Sequence, residues 1–252
     1  MSTNKVLASP PAECCVRGVK HSGTPSGSTI SLGGMETYVS EPKSGAQGVK
    51  RVILFFADVY GPLFLNNQLI QDYFASLGFI VLGPDYFFGN PVHLARETPN
   101  FDQDGWMNAA KDKTTEILPS WLKAAKEKYG TDTKYSVVGY CFGAPHTLKL
   151  AASDEVVAAA LAHPAFLNED HFRNIKQPLL LSCAEDDFTF PTPSRRIAED
   201  ILVEKKATYH FQVFSGVSHG FAIRGDPNIE NQRWAKEESA RGIVGWFDRF
   251  SQ

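Results

Sequence analysis

The sequence predicts an α/β fold: a mostly parallel central sheet with helices on both faces, preceded by an N-terminal antiparallel hairpin. Three observations carry that prediction. Continuous apolar runs recur along the chain, each too short for a helix and bounded by loop residues, as in strands buried on both faces. Segments with apolar residues at helical spacing alternate with these runs. The stretch STISLGGMETYVSEP (28–42) alternates polar and apolar side chains about Gly33 and Gly34, which is a hairpin signal.

Taken in order, residues 1–28 are rich in Pro, Gly and Ser and show no periodicity, so they are expected to form an irregular N-terminal extension, with residues 29–252 as a single domain. After the hairpin, VILFFA (52–57) is the first buried strand. A helical pattern over 66–77 ends at Gly78, and FIVLGPD (79–85) is the next strand. A loop rich in Gly, Pro and Asn runs to about residue 104. Residues 106–129 have helical spacing and stop at Gly130, a residue suited to closing a helix. YSVVGY (135–140) is a strand and 142–152 a helix. VVAAALAHP and PLLLSCAE read as strands with helices after each, HFQVF (210–214) as the last strand, and 231–250 as the terminal helix.

A chain of 252 residues sits at the upper end of one domain, large enough to bury roughly three quarters of its unfolded surface. With 43% hydrophobic and 21% charged residues it is neither fibrous nor disordered in composition. The formal charge of −3, with Lys and Arg scattered along the chain, offers no footprint for a phosphate backbone, so nucleic acid is excluded as a partner. No apolar run approaches the roughly eighteen residues of a membrane span, and the first residues lack the apolar core of a secretory signal. A cytoplasmic protein, monomer or homodimer, is expected. The four cysteines are too few and too unevenly spaced for a disulfide framework, and no Cys or His pairing suggests a metal. Cys14 and Cys15 are expected to be two small semi-buried thiols rather than a vicinal disulfide.

In a parallel sheet, ligands bind beyond the carboxyl ends of the strands. The residues found there are Asp58, Val59, Tyr60 and Gly61; then Asp85 and Tyr86; then Cys141, His163, Asp187, Ser218 and His219. Gly139-Tyr140-Cys141-Phe142-Gly143 is a G-x-C-x-G between a strand and a helix, the nucleophile-elbow pattern of the α/β-hydrolases with Cys in place of Ser. The flanking glycines suit a strained turn whose backbone comes close to its neighbours. The amide dipoles of a first helical turn favour a thiolate there, and the elbow is expected to expose Cys141 while Cys183, ending an apolar run, is buried.

A thiol nucleophile needs a base to accept its proton and a carboxylate to fix the base's tautomer. α/β-hydrolases present nucleophile, acid and His in that chain order, and Cys141 is followed by the acidic run Glu185-Asp186-Asp187 and then by His219. These residue types alone leave the acid open among the three carboxylates. His163 also ends a strand, but no acid precedes it in the required order, and it reads as structural. His21, His93, His146, His171 and His210 have no strand-end context.

Gly139-Tyr140-Cys141-Phe142-Gly143, Asp187-Phe188-Thr189-Phe190-Pro191 and His219-Gly220-Phe221 together resemble the dienelactone hydrolase (carboxymethylenebutenolidase) family, a Cys-His-Asp branch of the α/β-hydrolases. The family's acid loop runs Asp, three residues, Pro, which selects Asp187 over Asp186. The resemblance extends from about Gly34 to the terminal helix, and the stretch from Cys14 to Gly27 is similar to an extension of fungal members. Two departures stand out. Asp58 occupies the place of a Glu that contacts the resting thiol in the bacterial prototype. An arginine expected four residues beyond the catalytic His is Ile223 here, with Arg224 next.

The resemblance implies hydrolysis of a small ester or lactone through a cysteinyl acyl-enzyme, with catalytic Cys141, Asp187 and His219 and an oxyanion hole made by the backbone N–H groups of Phe142 and Val59. Asp58, Tyr60, Tyr86 and Arg224 are candidate substrate-binding residues, and no cofactor or metal is implied. The aromatic-rich loop 86–106 is the expected cover of the pocket. Two other readings compete: a catalytically silent relative that binds a ligand or partner, and a glycan-acting hydrolase, for which Asp58 and Asp85 make no recognisable carboxylate pair.

Overall fold

A computed structural model describes residues 4–11, 18–43 and 49–252, so the Cys14–Cys15 pair lies outside the described residues. The strands are β1 (Val6–Ala8), β2 (Ser28–Leu32), β3 (Met35–Ser40), β4 (Arg51–Phe56), β5 (Ile80–Pro84), β6 (Lys134–Tyr140), β7 (Ala158–Ala162), β8 (Leu167–Asn168), β9 (Leu179–Asp186) and β10 (Tyr209–Ser218). The helices are α1 (Leu65–Ser76), α2 (Val92–Ala95), α3 (Gln103–Tyr129), α4 (Ala144–Ala151), α5 (Glu169–Arg173), α6 (Thr192–Glu204), α7 (Phe221–Arg224) and α8 (Glu230–Phe250).

Eight strands form one sheet in the order β10-β9-β7-β6-β4-β5-β3-β2. The hairpin β2–β3 is antiparallel, and β3 lies antiparallel to β5; every other neighbouring pair is parallel. This is an α/β-hydrolase architecture, with the mostly parallel sheet and N-terminal hairpin that the hydrophobic patterning calls for.

Strand periodicity sorts the core into two layers. Val52, Leu54 and Phe56 of β4 pack with residues of α3, α4 and α6, while Ile53 and Phe55 face α1 and α8 on the other side. Fully burying a side chain such as Phe74 of α1 or Phe247 of α8 stabilises the fold by about 1.5–3 kcal/mol. The central strands therefore read as unbroken apolar runs because both of their faces are covered.

Strand order reverses at the middle of the sheet: β4 continues to β5 on one side, and the chain then crosses to β6 on the other. A crevice opens at the carboxyl ends where such a reversal occurs. Asp58 and Val59 follow β4 there, and Cys141 follows β6.

Three expectations need correction. Residues 1–28 are not wholly irregular, since Val6–Ala8 pair antiparallel with β8 and bury Leu7 and Ala8 against the core. The partner strand is far away in sequence, so local composition carries no trace of it. Cys141–Gly143 form a 3-10 turn, and the α-helix begins only at Ala144. The loop after β5 contains the short helix α2, started by Pro91.

Candidate active site

The elbow is built as its glycines require. Cys141 has φ +47°, a left-handed conformation that is costly for a residue with a Cβ and persists where the surroundings enforce it. A Cβ on Gly139 would strike Thr147 Oγ1 and approach within 2.8 Å of the Gly143 carbonyl oxygen, and one on Gly143 would run into the backbone of Phe56. The turn can therefore be this tight only with glycine on both sides.

The thiol is not exposed as the elbow pattern suggests. Cys141 is fully buried (0% exposed), packed against Ala165 and the partly buried Phe166, and its carbonyl accepts the Ala165 N–H at 3.2 Å. The turn after β7 folds back over the elbow, with His163 at φ +36° and Phe166 at φ +59°. Cys183 is also buried, and burial pushes its thiol well above the ordinary range.

Asp187 follows β9 and His219 follows β10. His219 Nδ1 lies 3.0 Å from Asp187 Oδ1 and 3.2 Å from Oδ2, both side chains buried. Asp187 Oδ1 also accepts the N–H of Thr189 at 2.9 Å and of Phe190 at 3.3 Å. Burial works to raise this carboxyl, but the neighbouring His219 and the hydrogen bonds from His219 and Thr189 outweigh it, and the net shift is downward. Asp187 is thus held as a carboxylate. Asp186 ends β9 and is exposed, and Glu185 is turned to the Gly216 N–H at 2.9 Å.

Two residues outside the expected set join this group. Thr189 is fully buried with its hydroxyl 2.7 Å from Asp187 Oδ1, 3.0 Å from His219 Nδ1 and 2.7 Å from the Pro164 carbonyl oxygen. The His163 and His219 rings meet in a T-shaped arrangement at a centroid distance of 5.0 Å, with Tyr140 and Phe221 also against His163. Burial first, and then repulsion from His219, push the His163 pKa down to about 3, so its ring is neutral. Neither ring nitrogen of His163 has a hydrogen-bond partner among the described residues, which departs from a satisfied structural histidine.

Asp58, Tyr60 and Arg224 are brought together. Gly220, at φ +90°, starts α7, and this single turn carries Arg224 back to pair with the Asp58 carboxylate. Asp58 Oδ1 accepts from Asn67 Nδ2 at 3.0 Å and from the Tyr60 N–H at 3.1 Å. The Arg224 guanidinium sits 4.7 Å from the Tyr60 ring centroid, and Tyr60 stacks on His93 at 5.2 Å. Removing one partner of a pair this deeply buried costs about 3–5 kcal/mol. Ile223, at the position where the family arginine is expected, is fully buried in the core with α8.

Tyr86 donates its hydroxyl to the Ala57 carbonyl and packs on Phe142 at 5.5 Å. Phe142 and Val59, the two expected oxyanion donors, follow the adjacent strands β6 and β4, where Phe56 pairs with Gly139. Phe87 stacks on Trp106 at 5.3 Å, which folds the 86–106 segment against Phe142. Among the described residues no group of three or more His, Cys, Asp or Glu is placed to hold a metal ion, and no helix is long and apolar enough to cross a membrane.

Comparison with known proteins identifies the family of the chain. The model of the dienelactone hydrolase family matches residues 35–251. The chain belongs to the dienelactone hydrolase family. Among its relatives, dienlactone hydrolase 1 of Gibberella moniliformis is 37% identical over 96% of this chain and 95% of its own. Hydrolase pyvD of Aspergillus violaceofuscus is 33% identical over 96% and 97%. The crystal structure of a dienelactone hydrolase-like promiscuous phosphotriesterase from metagenomic libraries superposes with a TM-score of 0.70 at 16% identity, covering 91% of this chain and all of that one, a likeness of fold. As a family member the chain is an enzyme, a hydrolase of the carboxylic ester class.

The Thr189 contact had one local signal. Asp-x-Thr is an Asx-type turn in which a short polar side chain bonds the backbone two residues on. The Asp58–Arg224 pair had none, because it joins distant segments.

Proposed function

We propose that the enzyme hydrolyses a small ester or lactone with Cys141 as nucleophile, His219 as base and then acid, and Asp187 as the carboxylate that orients His219. The observation that carries this reading is the buried Asp187–His219 pair, 3.0 Å apart, at the same carboxyl ends of the sheet as a cysteine on a left-handed elbow between two glycines. A neutral His219 with Nδ1–H turned to Asp187 has Nε2 available to take the thiol proton.

In the first half-reaction the Cys141 sulfur forms a bond to the substrate carbonyl carbon, and the carbonyl π electrons move onto oxygen. The N–H groups of Phe142 and Val59 receive that oxyanion. It collapses with cleavage of the bond to the leaving oxygen, which takes the proton held by His219, leaving a thioester on Cys141. Water then attacks the thioester as His219 accepts its proton, and the carboxylic acid leaves as the thiol is restored. Asp58, Tyr60, Tyr86 and Arg224 line the approach in this reading, with Arg224 held by Asp58 instead of standing alone as an anion receptor.

Steady-state turnover of p-nitrophenyl acetate by the wild type and by Cys141→Ala tests the proposal. Turnover by the wild type and its loss in the folded variant are expected. An inactive wild type favours a ligand-binding relative, and an active variant removes Cys141 from the chemistry.

A further inference from the structure

A cavity lies away from Cys141, Asp187 and His219. A trough of about 610 Å³ runs between α3 and α4, within the size range of small-molecule sites. Phe56, Leu118, Leu122 and Leu150 give it an apolar lining, and Lys123, Lys126 and Lys149 border it. Neither Cys141, Asp187 nor His219 is among its described lining residues. Through Thr115, His146 and Lys149 it continues into a more polar hollow of about 470 Å³ that adds Lys111.

The charges around this trough are unevenly matched. Lys126 is paired with Glu155, and Lys123 lies 3.8 Å from Glu127. Among the described residues no carboxylate is within ion-pair distance of Lys149, which lines both hollows, or of Lys111, which lines the polar one with Asp170 and has its ammonium 4.7 Å from the Phe166 ring centroid. His146 lines both hollows and is nine-tenths buried, and its Nε2 has no hydrogen-bond partner among the described residues. Burial, reinforced by Lys149 and Lys111, lowers its pKa to about 4, so at neutral pH it is an uncharged imidazole able to make a hydrogen bond.

We propose that the trough is a binding site for a medium-chain alkyl carboxylate, with the chain along Leu118, Leu122 and Leu150 and the carboxylate at Lys149 and Lys111 beside His146. A cationic amphiphile would meet the two lysines with like charge. A wholly apolar guest would fill the trough but leave the charge at its polar end unanswered. The site is separate from the catalytic centre yet adjoins it, because the His146 ring packs on Phe142 at 6.0 Å and on Tyr86 at 6.4 Å.

Titration calorimetry of the full-length enzyme with sodium dodecanoate, kept below its micelle concentration, tests the site. Saturable one-site binding is expected, weaker by about tenfold or more for hexanoate, which buries fewer methylenes. Dodecyltrimethylammonium should bind much more weakly than dodecanoate. Leu122→Glu should weaken dodecanoate by about tenfold or more by placing a charge in the apolar lining. Lys149→Glu, an exposed change that leaves packing alone, should weaken it by about threefold or more. Cys141→Ala should bind as the wild type does. Absence of saturable binding, equal binding of the ammonium amphiphile, or binding lost in Cys141→Ala and kept in Lys149→Glu would each overturn the proposal, the last by moving the ligand to the catalytic pocket.

Discussion

The hydroxyl of Thr189 lies 3.0 Å from Nδ1 of His219 and, at 2.7 Å from Asp187 Oδ1, bridges the imidazole and its carboxylate. A hydroxyl there limits rotation of the imidazole and of the carboxylate that orients it. Thr189→Val keeps the shape and removes the bridge. It should lower kcat by about tenfold with KM for a neutral ester little changed, and Thr189→Ser should restore most of the loss. A fall in KM and kcat alike, or no rescue by Ser, would assign Thr189 to packing alone.

The two neighbouring aspartates should separate sharply. Asp187 is buried on His219 and Asp186 is exposed, so Asp187→Asn should lower kcat by about 10² to 10⁴-fold while Asp186→Asn does far less. The amide can still hydrogen-bond but favours the wrong tautomer and cannot stabilise the imidazolium. The comparison is made by steady-state kinetics, with folding of both variants checked by circular dichroism. The reverse ranking would move the acid one residue back.

Access to the thiol should depend on Phe166. Because Cys141 is fully buried beneath Ala165 and Phe166, iodoacetamide should reach it slowly, and Phe166→Ala should speed its alkylation about tenfold without speeding that of Cys183, whose thiol burial keeps protonated. Peptide mapping over time measures both rates. Cys183 labelled first, or a Cys141 rate unmoved by Phe166→Ala, would contradict this.

Acid should destabilise the fold through its buried histidines. In the folded protein His163 is lowered from 6.5 to about 3 and His146 to about 4, so below pH 6.5 the unfolded chain takes up protons first. Stability is full above that value and drains as pH falls towards 4, by up to about 1.4 kcal/mol per pH unit for each histidine. The lowered carboxyl of Asp187 adds a further loss below 3.8. Urea unfolding between pH 7 and 4.5 measures the slope, and NMR titration of the imidazole resonances identifies the groups. A His163 ring that titrates near 6.5 would contradict the assignment.

Much of this was legible in the chain itself. The unbroken apolar runs of β4, β6, β7 and β9 announced a sheet covered on both faces, and a cysteine elbow, an acidic run and His219 close β6, β9 and β10 in the chain order of an α/β-hydrolase. The choice of Asp187 over Asp186 came only with the family resemblance, through the count from Asp187 to Pro191, and it is Asp187 that lies buried on His219. What stayed hidden was long-range. The pairing of Val6–Ala8 with β8, the ion pair of Asp58 with Arg224 and the approach of His163 to His219 depend on where the fold brings distant segments, and local pattern holds no record of that. The burial of Cys141 was hidden for the same reason, since its cover is the turn after β7.

The central claim is that the reaction passes through an acyl group on Cys141, and trapping that group tests it most directly. Wild-type enzyme is mixed with excess p-nitrophenyl acetate, quenched in acid within the first turnovers, digested and analysed by mass spectrometry. An acetyl group on the peptide carrying Cys141, its amount rising with the burst of p-nitrophenol and absent from Cys141→Ala, is the predicted result. A burst of p-nitrophenol with the acetyl group on another residue, or undiminished turnover by Cys141→Ala, would contradict the account.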